Sequence, residues 1–104
     1  DVVRAYVSDP LVHHGKLSAR LLAEMMAAMA DTLERAPHVN LPLLILHGED
    51  DRLTCPSGSR DFHERAASAD KTLKIYPELY HEIFNEPEKD AVLADMSDWL
   101  EKHL

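Results

Sequence analysis

The sequence predicts an α/β architecture that belongs to a larger parallel-sheet domain, and three observations carry that expectation. Apolar residues repeat in the order helix, strand, helix, strand, helix. Leu43-Leu44-Ile45-Leu46 is a short continuous apolar run, the habit of a parallel-sheet strand buried on both faces. The 104 residues supply only two strands, too few for a stable parallel sheet, whose faces and edges all need cover. A small self-sufficient α/β domain is the alternative.

Each element follows from its own residues. Leu17, Leu21, Leu22, Met25, Met26, Met29 and Leu33 recur at helical spacing and predict a helix from about Leu17 to Ala36. Alanines favour it and Pro37 stops it. Pro42 stands at the entrance of the first strand, and Gly48-Glu49-Asp50-Asp51-Arg52 is turn chemistry at its exit. A helix is expected from Pro56 to about Ala67, although Phe62 is its only large apolar residue. Leu73 and Ile75 alternate with Thr72, Lys74 and Tyr76 in a second short strand, followed by a loop from Pro77 to about Asn85. Val92, Leu93, Met96, Trp99, Leu100 and Leu104 line a C-terminal helix with Pro87 near its first turn. Strand, crossover helix, strand is the parallel unit and is expected to be right-handed.

Composition narrows the function classes. Nineteen acids against eleven bases give a net charge of −8, and the bases are scattered. Nucleic acids and anionic membrane surfaces need clustered Lys and Arg, so the composition argues against nucleic acid and against electrostatic binding to an anionic membrane. The composition, 45% hydrophobic and 29% charged, is that of a globular chain. One cysteine, Cys55, excludes an internal disulfide and fits a reducing, cytoplasmic setting. No apolar run approaches the ~20 residues of a membrane span. No targeting segment is expected at the N-terminus, and a first residue other than Met points to a fragment.

In an open α/β sheet, ligands bind beyond the carboxyl ends of the strands. The loop after the first strand offers Glu49, Asp50 and Asp51, and the loop after the second offers His81. Adjacent strands lie ~4.8 Å apart, so an acid from one loop can reach an imidazole from the other. Such an acid fixes the imidazole tautomer and leaves the second ring nitrogen free to take a proton.

Together, His47-Gly48-Glu49-Asp50-Asp51-Arg52-Leu53, Tyr80-His81-Glu82-Ile83-Phe84-Asn85-Glu86 and Trp99-Leu100 resemble the tail of monoacylglycerol lipase and lysophospholipase-type α/β hydrolases. Asp9-Pro10-Leu11 is similar to their cap region. The resemblance implies the C-terminal part of an α/β-hydrolase fold preceded by a cap-region helix. Residues 1–37 would be the end of the cap and its connecting helix, and residues 38–104 the end of the core. It implies Asp51 as the triad acid and His81 as the triad histidine, in the acid-then-histidine order of these enzymes. The family nucleophile sits in a Gly-x-Ser-x-Gly elbow, and no such pentapeptide occurs here; Ser57-Gly58-Ser59 lacks the flanking glycines. The implied function is a serine ester hydrolase acting on an acyl-ester lipid, without metal or organic cofactor, and with the nucleophile outside this chain. The chain alone would be inactive. Its expected partners are the upstream part of the same fold, transiently a membrane surface, and other copies of itself when isolated. A non-catalytic binding or scaffold module that kept this tail is the alternative.

Other residues receive plainer readings. Glu49 and Asp50 read as exposed loop acids, and His47 as a satisfied structural histidine. His13 and His14 are adjacent and do not converge, and His38, His63 and Glu64 lack the spacing of a zinc site. Met25, Met26 and Met29 read as packed core, with the wall of an acyl-chain pocket as the alternative. Cys55 reads as structural or incidental, having no basic neighbour beyond Arg52 to activate its thiol.

Overall fold

The computed structural model describes residues 1–104, which divide into two units, Asp1–Thr32 and Leu33–Leu104. The first unit opens with a short helix not anticipated from periodicity, α1 (Val2–Ser8). It stops where the Asp9 carboxylate accepts the Leu11 N–H at 2.8 Å, an Asx turn that Pro10 favours. The long helix α2 (Ala19–Arg35) runs out of this unit. It begins two residues later than the apolar repeat suggests, because the Ser18 hydroxyl accepts the Leu21 N–H at 3.1 Å and caps it. The methionine stripe is not packed core: Met25, Met26 and Met29 are 50%, 72% and 58% exposed. Neither α1 nor α2 buries a residue, as expected of a unit too small to enclose a core of its own.

The second unit holds the sheet. After the 3₁₀ turn Ala36–His38, β1 (Leu43–Gly48) pairs in parallel with β2 (Lys71–Tyr76), in register from Leu43 opposite Lys71 to Gly48 opposite Tyr76. The crossover helix α3 (Pro56–Arg65) contacts both strands. Pro56 opens it, where a missing N–H costs nothing. Its C-terminus is closed by Lys71, whose Nζ donates to the carbonyls of His63 at 2.7 Å and Ala66 at 2.8 Å. The expectation that Leu43–Leu46 is buried on both faces is corrected: these residues are half-buried, since α3 is the one helix that packs broadly against β1.

The C-terminal helix α4 (Lys89–Lys102) starts after Pro87 and delivers Val92 into the core, with Tyr76, Leu79 and Ile83 around it and Leu46 packed against the cluster. Asp95 of α4 accepts the Tyr76 hydroxyl at 2.7 Å and pairs with Lys74. Burial and this carboxylate push the Tyr76 phenol well above its ordinary range. No helix is long and apolar enough to cross a membrane.

Candidate active site

The carboxyl ends of β1 and β2 continue into two loops that are hydrogen-bonded to each other by their backbones. The Glu49 N–H donates to Tyr76 O and the Asp50 N–H to Leu79 O, each at 2.9 Å. Gly48 permits this contact. A Cβ at that position would stand 2.1 Å from Tyr80 O and 2.4 Å from Leu79 O, so any side chain would drive the loops apart. On the β2 side, Pro77 and Glu78 turn the chain, with Glu78 at φ 64°, a left-handed conformation costly for a non-glycine residue. The buried Glu86 carboxylate then accepts the Tyr80 N–H and ties down the residue before His81.

These loops bring Asp51 and His81 together, with Asp51 Oδ2 2.9 Å from His81 Nδ1. The Asp51 side chain is 3% exposed and the His81 side chain 46%. Asp51 is saturated with donors. Its Oδ1 accepts the N–H groups of Leu53 at 2.8 Å and Thr54 at 3.0 Å, and its Oδ2 also accepts the Thr54 hydroxyl at 2.8 Å. Burial by itself would raise a carboxyl pKa. Here the Thr54 N–H, the His81 ring, the Thr54 hydroxyl and the Leu53 N–H outweigh it and hold Asp51 well below the usual carboxylate range. A carboxylate so fixed keeps Nδ1 of His81 protonated, which leaves Nε2 as the ring's basic nitrogen. Both residues line an open cavity of about 450 Å³ with Leu46, Thr54, Ile83 and Phe84.

The rival acids lie elsewhere. Glu49 and Asp50 are exposed, and Glu49 reaches the Arg60 guanidinium at 3.8 Å. His14 meets the Tyr6 ring edge-on, and His63 faces Lys71 O. No group of three His, Cys, Asp or Glu side chains is arranged to hold a metal ion. Cys55 is exposed, and its thiol is lowered from its ordinary value by the Ser57 hydroxyl and N–H, with Arg60 rather than Arg52 as the contributing cation. Two residues beside the acid carried no functional reading in the sequence. Thr54 lies three residues past Asp51, the spacing at which a hydroxyl and an N–H fold back on an aspartate. His47, four residues before Asp51, brings its Nε2 to 3.0 Å from Asp51 Oδ2.

Comparison with known proteins places this arrangement in a family. The family model described as Hydrolase_4: Serine aminopeptidase, S33 matches residues 1–88. Monoacylglycerol lipase of Mycolicibacterium smegmatis is 47% identical over 104 residues, which are all of this chain and 37% of that protein. The crystal structure of Paleococcus ferrophilus monoacylglycerol lipase superposes with a TM-score of 0.90 at 33% identity, covering 98% of this chain and 40% of that one. A soluble variant of Saccharomyces cerevisiae monoglyceride lipase, in complex with a substrate analog, superposes at 0.87 with 31% identity over 98% of this chain and 36% of that one. The chain thus spans between a third and a half of the length of these relatives, and the fold it carries is the C-terminal part of theirs. Matched over most of its length in sequence and in structure, the chain belongs to the monoacylglycerol lipase-type α/β hydrolases.

Proposed function

We propose that this chain supplies the acid and the base of a serine ester hydrolase acting on monoacylglycerols, lysophospholipids or similar acyl esters. The observation that carries the reading is the buried, donor-saturated Asp51 carboxylate 2.9 Å from Nδ1 of the half-exposed His81. The nucleophile is a serine outside these 104 residues, in the parent protein. His81 Nε2 takes the serine proton as Oγ bonds to the ester carbonyl carbon, and Asp51 stabilises the imidazolium. The ester C–O bond then breaks, and the imidazolium gives its proton to the departing alcohol. Water attacks the acyl-enzyme, with His81 accepting its proton and returning one to the serine oxygen as the acid leaves.

Residues 1–37 belong in this reading to the end of a cap, and residues 38–104 to the end of the core. The protein works in the cytoplasm and touches membranes only transiently, to collect its lipid. The full-length protein should hydrolyse a monoacylglycerol, and His81→Ala should abolish turnover. The 104-residue chain alone should leave the ester at its buffer rate and should self-associate through the open edge of β1, as light scattering would detect. Full activity in His81→Ala would remove His81 as the base, whereas no hydrolysis by the wild-type full-length protein would favour instead a binding module that retains the hydrolase tail.

A further inference from the structure

His47 sits at the carboxyl end of β1 with its side chain 13% exposed. Its Nε2 has two polar neighbours, Thr54 O at 3.0 Å and Asp51 Oδ2 at 3.0 Å. A carbonyl and an ionised carboxylate only accept, so Nε2 carries the hydrogen and donates to Thr54 O. Nδ1 is then free to accept the Ser59 hydroxyl of α3 at 2.7 Å. One neutral tautomer makes both hydrogen bonds, and the same Nε2–H lies beside Asp51 Oδ2 without bonding it.

This ring therefore stands behind the acid. Thr54 grips Asp51 with its N–H and its hydroxyl, while His47 grips the Thr54 carbonyl. Oδ2, the oxygen that binds His81, is approached by three side chains: His81 Nδ1 at 2.9 Å, Thr54 Oγ1 at 2.8 Å and His47 Nε2 at 3.0 Å. We infer that His47 is a positioning residue for the acid–histidine pair, with Ser59 setting its tautomer and Thr54 passing its constraint to Asp51. The inference rests on the catalytic reading of Asp51 and His81 given above. A histidine that merely filled space would be replaceable by any side chain of similar volume. A donor to Thr54 O would be replaceable only by another donor.

The test uses the full-length protein and steady-state hydrolysis of a monoacylglycerol, with thermal melting alongside. His47→Leu fills the space without a donor and should lower kcat by on the order of 10²-fold, the effect of a small misplacement of a reacting group, with KM little changed. His47→Gln, whose amide N–H can reach the same acceptors, should recover most of that loss. Ser59→Ala should fall between them, and its comparison with His47→Gln decides the matter if His47→Leu does not fold. Equal loss in the Leu and Gln variants, or a lowered melting temperature with unchanged kcat, overturns the inference. Asp51→Asn separates the two levels. If it cuts kcat by several orders of magnitude while His47→Leu leaves kcat unchanged, only the role of His47 falls. If it keeps wild-type turnover, the catalytic reading falls and the inference with it.

Discussion

The loop after β1 and the loop after β2 present their chemistry in opposite ways. Asp51 is almost fully enclosed and accepts four hydrogen bonds, from Leu53, Thr54 twice and His81. His81 is half-exposed, and its Nδ1 is anchored by that carboxylate, with the Thr54 hydroxyl only 3.4 Å away. The difference is the one expected of the acid and base roles proposed above. A carboxylate that orients a partner must be immobile and stay ionised, whereas a base must keep one face open to substrate. Rigidity is concentrated on the acid, and the histidine takes its orientation from it.

The sharpest way to break this division is to remove the acid's charge. In the full-length protein, Asp51→Asn should cut kcat by up to ~10⁴-fold, the cost of losing the orienting carboxylate in the serine-protease case. Asp50→Asn should cost little, because that side chain is exposed beside the site. Steady-state kinetics on the two variants decides between neighbouring aspartates. The opposite ranking would move the acid by one residue.

Much of this was legible in the sequence, for identifiable reasons. Leu43–Leu46 and the alternating Leu73 and Ile75 mark the strands, because burial leaves a period in the residues that experience it. That Asp51 and His81 could meet was legible, since both stand in loops at the carboxyl ends of two adjacent parallel strands. The contacts of His47 and Thr54 were not. They depend on where α3 and the turn fold back on Asp51, which no periodicity encodes. The methionines of α2 failed for another reason. A helical stripe reports that a face is apolar, not that anything within the same unit covers it.

A second way to break the comparison acts between the loops. Gly48→Ala places a Cβ against Tyr80 O and Leu79 O, and backbone cannot yield as a side-chain tip does. The His81 loop should shift away from Asp51, with kcat falling by on the order of 10²-fold and stability by about 1–3 kcal/mol. Kinetics and denaturant melts of the same variant would show both. Thr54→Val is gentler. It keeps the N–H bond to Asp51 and removes the hydroxyl, so kcat should drop roughly tenfold, equivalent to about 1.4 kcal/mol of lost alignment. A variant with unchanged kcat would show that the two backbone donors suffice to fix the acid.

The smallest expected effect sharpens the comparison by setting the site against the opposite end of the sheet. Before β2 begins, Asp70 accepts the His103 Nε2–H at 2.6 Å, while His103 Nδ1–H donates to Trp99 O at 2.6 Å and the ring stacks on Trp99. Both acceptors require a proton, so the Trp99 carbonyl first and the Asp70 carboxylate second raise the His103 pKa, against desolvation and the nearby Lys102. The two ends of the sheet then answer pH with opposite signs. Asp51, depressed in the folded state, contributes stability that is present above the unfolded carboxylate value of ~3.9 and is lost as pH falls through its folded value. His103, raised in the folded state, contributes stability that is fully present below the unfolded imidazole value of ~6.5 and is lost as pH rises through its folded value. The difference in melting temperature between the wild-type full-length protein and His103→Ala should therefore be largest on the acid side of neutrality and fall in alkali to the pH-independent part left by the lost stacking on Trp99. It should also shrink with added salt, because Asp70 is exposed. A difference that stayed flat or grew with pH would mean that the second ring proton adds nothing to the stability of this end of the sheet.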